Sequence, residues 1–101
     1  MAGPRWENVY DLSDEQINQL DQAEHMMETM QLNEAEKILN EMLKESPDCI
    51  PALNNLGHLY GRHMSDFELA IEYYDMVITI EPDNAWARDE RRRYRRYLSY
   101  D

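Results

Sequence analysis

A pattern that occurs twice constrains this chain more than anything else in it. In the second half it reads Leu53, Leu56, Gly57, Tyr60, then Ala70, Tyr74 and Pro82. About 35 residues earlier a fainter copy reads Ala23, Met26, Ala35, Leu39 and Pro47. Large, small and aromatic residues alternate at the spacing of a helix face, and a proline closes each unit. A unit of this length is one helical hairpin, which cannot bury its apolar face alone, so copies must stack. Strand signals are scarce: the one β-branched run, Val77-Ile78-Thr79-Ile80, lies inside helical periodicity.

Local signals divide the chain further. Residues 1–12 read as an irregular segment: Gly3 and Pro4 disfavour helix, yet Trp6, Val9, Tyr10 and Leu12 are too apolar for a free tail, so part of it is expected to pack on the rest. Ser13 and Gln16 predict a capping box ahead of a first helix over about 14–30, with Asp14 and Glu15 at the positive end of its dipole. Its apolar stripe is Ile17, Leu20, Ala23, Met26, Met27 and Met30. Asn33 with Glu36 predicts the cap of a second helix reaching Glu45, with Ala35, Ile38, Leu39, Met42 and Leu43 inward. Pro47 ends it, because Ser46 before a proline is pushed out of the helical region.

Asp48 is the expected cap of a third helix, with Pro51 in its first turn, where a missing N–H costs nothing. That helix carries Ala52, Leu53, Leu56, Leu59 and Tyr60. Ser65 and Glu68 predict another box, and the fourth helix carries Phe67, Ala70, Ile71, Tyr74, Val77 and Ile78 before Pro82. Asp83 caps a fifth, from Asn84 to about Tyr100.

Charge narrows the function classes. Residues 1–87 hold 18 acidic and 4 basic side chains, a net of −14, while residues 88–101 hold six arginines and three acids, a net of +3. The total of −11 argues against general affinity for nucleic acid or an anionic bilayer and suits a basic or neutral partner. No apolar run is long enough for a membrane span, and the N-terminus lacks the apolar core of a signal peptide. Cys49 is alone, so no disulfide can form within the chain, which is consistent with a reducing, cytoplasmic setting.

The doubled pattern resembles the tetratricopeptide repeat, over roughly residues 15–98. Leu53 stands where the family has a tryptophan or another large residue; Leu56-Gly57, Tyr60, Ala70, Tyr74 and Pro82 match directly. The resemblance implies an all-α, right-handed superhelix of two hairpins, about 14–47 and 48–82, closed by a capping helix over about 83–100, the whole forming a repeat domain over 13–100. Two departures stand out. The interval from Gly57 to Ala70 is one residue longer than usual, and the insertion is placed in the turn. In the first unit Gln19 and Gln22 occupy apolar positions; a shift by one would bring Leu20 and Ala23 there but put Glu24 at the close-packing position, and the register stays open. The fifth helix begins as a third repeat with Ala85 and Trp86, then departs from the pattern; Trp86, Tyr94, Tyr97 and Leu98 are expected to cover the last repeat.

In the family, the first helix of each hairpin lines a concave groove that holds a peptide. Carried over, that groove would present Leu20, Glu24 and Met27, then Asn54, Asn55, His58 and Arg62, then Asn84, Arg88, Arg91 and Arg95, running from acidic through amide to basic. Asparagines suit a peptide backbone because each offers donors and an acceptor. One subclass grips the acidic tail of heat-shock chaperones with a carboxylate clamp; Asn55 and Arg88 match two of its five positions, but Glu24 would repel a carboxylate.

Other clusters read as structural. Arg91-Arg92-Arg93-Tyr94-Arg95-Arg96 is the sharpest charge run; cations near a helix C-terminus are favourable, and Asp89–Arg93 is an expected i,i+4 pair. His25, His58 and His63 lack metal-site spacing, so no metal or other cofactor is expected. No paired acid–base set or phosphate loop marks an enzyme. Met26, Met27 and Met30 form either core or a contact surface. The leading expectation is a small adaptor or scaffold that binds a protein or peptide. The alternative is an assembly unit that self-associates through the Met-rich first helix or the cap.

Overall fold

The computed structural model describes residues 9–99. Within them the protein is all helical: α1 (Asp14–Glu28), α2 (Leu32–Glu45), α3 (Ile50–His58) continued by a π-helical turn (Leu59–His63), α4 (Phe67–Ile80) and α5 (Ala85–Leu98). α1 packs on α2, α3 and its π turn pack on α4, and α4 packs on α5. α3 is the centre of the row, touching α1, α2 and α4. This is the stacked arrangement of a helical repeat.

Small residues set how closely the helices approach. Ala23, Ala35, Ala52, Ala70 and Ala87, one on each helix, are fully buried. Larger groups fill the space beside them: Leu39, Leu53, Leu56, Leu59, Tyr74, Val77 and Tyr94 are all within 1% of complete burial. Each buried leucine contributes roughly 1.5–3 kcal/mol relative to exposure. The register of the first unit follows from burial. Leu20, Ala23 and Met27 are buried, as the shifted alignment expects of its large positions, while the exposure of Glu24 and the full burial of Ala23 suit the unshifted one, so the first unit keeps a mixed register. The apolar contacts that Gln19 and Gln22 do not make pass to Leu20 and Met27, 6% and 4% exposed.

Several caps sit one or two residues from their expected places, for a shared reason. α1 does have the Ser13–Gln16 capping box, but it ends at Glu28 rather than Met30. Met30 adopts a left-handed φ of 63°, the Gln31 amide donates to the Met26 carbonyl at 2.7 Å and the Met30 amide to Met27. This is a Schellman closure with methionine in the glycine place. The chain re-enters helix at once, so α2 starts at Leu32 with Gln31 as N-cap, and the Asn33–Glu36 box does not form. Glu36 instead accepts a 2.6 Å hydrogen bond from the Tyr60 hydroxyl.

At the next junction Cys49, not Asp48, precedes α3, and Pro51 lies in the first turn as expected. Ser65 does not cap α4: its φ of 54° makes it the left-handed residue ending the π turn, with the Asp66 amide donating to Tyr60 at 2.8 Å. The cap is Asp66, whose side chain accepts from the Leu69 amide. Likewise α5 is capped by Asn84, accepting from the Ala87 amide, rather than by Asp83. The extra residue between Gly57 and Ala70 is not in the loop. It is absorbed as the π turn, closed by Met64 N–H to the Leu59 carbonyl at 3.1 Å, which is how a single insertion is held inside a helix.

The N-terminal segment docks in part. Leu12 is buried in the core, and the Tyr10 hydroxyl donates to Glu81 at 3.0 Å. Val9 remains 73% exposed, contrary to its apolar reading; Trp6 lies outside the described residues.

Candidate functional site

Two buried tyrosines set how α5 sits on the stack. A Cβ on Gly57 would lie 2.6 Å from the Tyr74 ring, and one on Gly61 would overlap the Tyr94 ring. Both aromatic groups therefore lie flat on a ledge that only glycine leaves open. Tyr74 and Tyr94 are stacked, with centroids 6.2 Å apart and planes 12° apart, and Phe67 continues the stack on Tyr94 at 5.6 Å. This ledge fixes the rotation of α5 about its axis. Its buried face is Ala87, Glu90 and Tyr94; Trp86, Tyr97 and Leu98 are 46%, 43% and 37% exposed, so three of the four residues expected to cover the last repeat lie partly in solvent.

With α5 so placed, a hollow of about 350 Å³ opens between α1, the α3–π segment and the start of α5, lined by Glu24, Met27, Glu28, Asn55, His58, His63 and Trp86. Met27 forms its apolar floor. The Asn55 side-chain amide donates to Glu24 across the α1–α3 gap at 3.3 Å. His58 and His63 meet edge to face, centroids 5.5 Å apart. Trp86 rests edge to face on Tyr74 at 5.5 Å. Burial, then His63 and Arg62, push the His58 imidazole below its ordinary pKa, with Glu90 opposing.

Four of the eleven groove residues expected from sequence meet here: Glu24, Met27, Asn55 and His58. Leu20 lines an adjoining depression with Ile17, Asp21 and Glu24. Asn54 is half-buried, its carbonyl oxygen without a partner. The others lie elsewhere. Arg62 is exposed, and the π turn explains why: in an α-helix the residue below His58 is Arg62, but the i,i+5 spacing of a π turn brings His63 there. Asn84 is engaged in capping and bonds Glu81 at 3.0 Å. Arg88 donates to the Pro82 carbonyl at 3.2 Å. Arg91 reaches Asp75 on α4 at 2.7 Å, and Arg95 is exposed. None of the four arginines expected in the groove lines this hollow, whereas Trp86 does.

The arginine run is partly tied down. Arg93 pairs with buried Glu90 at 3.2 Å and Arg92 with Asp89 at 3.7 Å, i,i+3 pairs in place of the expected Asp89–Arg93. Of the methionine stripe, Met27 is core and Met30 is 63% exposed. Among the described residues no group of three or more His, Cys, Asp and Glu side chains is placed to hold a metal ion, and no helix is long and apolar enough to cross a membrane.

A family model described as tetratricopeptide repeat matches residues 50–84. The match spans α3, the π turn, α4 and the loop to α5, the unit in which the pattern is complete. Residues 50–84 are thus similar to one tetratricopeptide repeat, and the all-helical packing of neighbouring helices is that of a helical-repeat arrangement. A comparison with curated proteins found no significant match to the chain.

Proposed function

We propose that this protein is an interaction module, an adaptor or scaffold, that holds a segment of another protein on its concave side. The observation that carries this reading is the convergence of Glu24, Met27, Asn55, His58 and Trp86 from three elements on one hollow. Its apolar floor, aromatic wall and few polar groups have the composition of a binding site. α1–α2 then acts as a degenerate first repeat and α5 as the cap. Asn55 has a second amide hydrogen and a carbonyl oxygen for a peptide backbone after its bond to Glu24.

The test is comparative capture from the source cell. A protein retained by the wild type should be lost, or bound at least about tenfold more weakly, by an Asn55→Ala/Trp86→Ala variant, since a lost hydrogen bond and a lost aromatic contact each contribute about 1 kcal/mol. A back-face variant, Met76→Asp/Ile80→Asp, should retain it. The reverse pattern rejects the concave site.

A second reading, self-association through the cap, draws on the exposure of Tyr97 and Leu98. Two hairpins and a cap are fewer than the three repeats that usually complete a stack. Sedimentation at rising concentration decides it: a monomer at high micromolar concentration removes this reading.

A further inference from the structure

The hollow has a charge character that narrows its occupant. Glu24 and Glu28 lie one turn apart on α1 and share one wall. Asp21, one turn earlier, lines the adjoining depression with Glu24. Among the described residues the ion pairs join only α4 and α5 groups, so neither glutamate has a cationic partner. Among the described residues the polar contact of the Glu24 carboxylate is the Asn55 amide at 3.3 Å, which orients it and leaves most of its acceptor capacity open. Across the hollow stands Trp86, held by Tyr74 and 46% exposed. An indole face attracts a cation best among the aromatic side chains.

We propose that the hollow receives an arginine or lysine side chain of the partner segment, its head between the α1 carboxylates and Trp86 and its stem along Met27. This rests on the reading of the hollow as the binding face. The alternatives fit worse. An acidic or phosphorylated group would meet Glu24 and Glu28. A purely apolar group would strip water from the two carboxylates without replacing its hydrogen bonds. A long basic side chain satisfies both parts of the site at once, an apolar stem and a charged head. Burial pushes the His58 imidazole below its ordinary pKa, which weakens its opposition to a cation. The proposal commits to a segment of a different protein: a net charge of −11 sets one copy of this chain against another, and Arg91, Arg92 and Arg93 are paired with Asp75, Asp89 and Glu90.

The experiment is an NMR titration of the full ¹⁵N-labelled chain with four capped peptides, acetyl-Gly-Gly-X-Gly-Gly-amide, where X is arginine, citrulline, leucine or glutamate. Citrulline keeps the shape of arginine without its charge. The arginine peptide should shift the Trp86 indole N–H and the Glu24, Asn55 and His58 amides, with affinity about tenfold above the citrulline peptide. Glu24→Gln/Glu28→Gln should abolish that difference with helical circular dichroism unchanged, both side chains being exposed. Equal binding of citrulline, leucine or glutamate peptides at these resonances overturns the basic anchor and leaves the concave site standing. If none of the four peptides moves these resonances, both readings fail. Concentration-dependent dimers that Glu24→Gln/Glu28→Gln dissociates would make the occupant a second copy and overturn the proposal.

Discussion

Gly57 shows how much a single atom decides in this fold. The Tyr74 ring lies where its Cβ would be, and Tyr74 itself is fully buried, so neither side can yield easily. Gly57→Ala should destabilise by about 1–3 kcal/mol, the usual range for overpacking, read as a lower urea midpoint with unchanged slope. Met30 offers the opposite case. It holds a left-handed φ with its side chain 63% exposed, so Met30→Gly removes backbone strain and little packing. It should stabilise by up to about 1 kcal/mol; a destabilised variant would show that Met30 makes contacts its exposure does not suggest. His58 carries a pH signature. Its folded pKa lies below the ordinary 6.5 through burial, with His63 and Arg62 adding and Glu90 opposing. The unfolded chain therefore takes up the proton first as pH falls. The stability His58 contributes is present above 6.5 and is lost as pH drops through the folded value. Stability measured at about pH 7.5 and pH 5 should fall less for His58→Gln than for the wild type.

At the level of elements, the helix ends discriminate between two ways of reading the chain. Sequence places caps at Asn33, Asp48, Ser65 and Asp83, each a residue or two from the true N-cap. The helices themselves are legible, since periodicity and the prolines at 47, 51 and 82 bracket them. The displaced caps have a physical cause in the tightness of the connections. The Schellman turn at Met30 and the left-handed Ser65 that ends the π turn use non-glycine residues, which composition does not signal, and Ser65 is thereby lost as a cap. Asn84→Ala should cost about 1 kcal/mol in thermal or urea unfolding, while Asp83→Ala should stay within about 0.5 kcal/mol. Equal effects would place the start of α5 wrongly. The π turn belongs to this scale too. The one-residue excess between Gly57 and Ala70 is visible in the chain, but an insertion reads equally well as a longer loop. Its placement inside the helix is decided by Gly61, which must stay beneath Tyr94.

For the whole molecule, these two devices determine what the concave side presents. That Glu24, Met27, Asn55 and His58 share one side of α1 and α3 was legible because helical phase carries along each helix. Phase fails beyond the π turn, so His63 replaces Arg62. It fails again at α5, whose rotation is set by Tyr94 on the glycine ledge rather than by the third-repeat pattern, and Trp86, not the arginines, lines the hollow. The result is a face with carboxylates, an amide, two histidines and an indole, on a protein whose net charge is −11. The account stands on that face being where partners bind. Photo-crosslinking tests it most directly: benzoylphenylalanine placed at position 58 or at position 76, each in the full chain, irradiated in the source cell. The account predicts a covalent adduct with another protein from position 58 and none from position 76. An adduct from position 76 alone would contradict it.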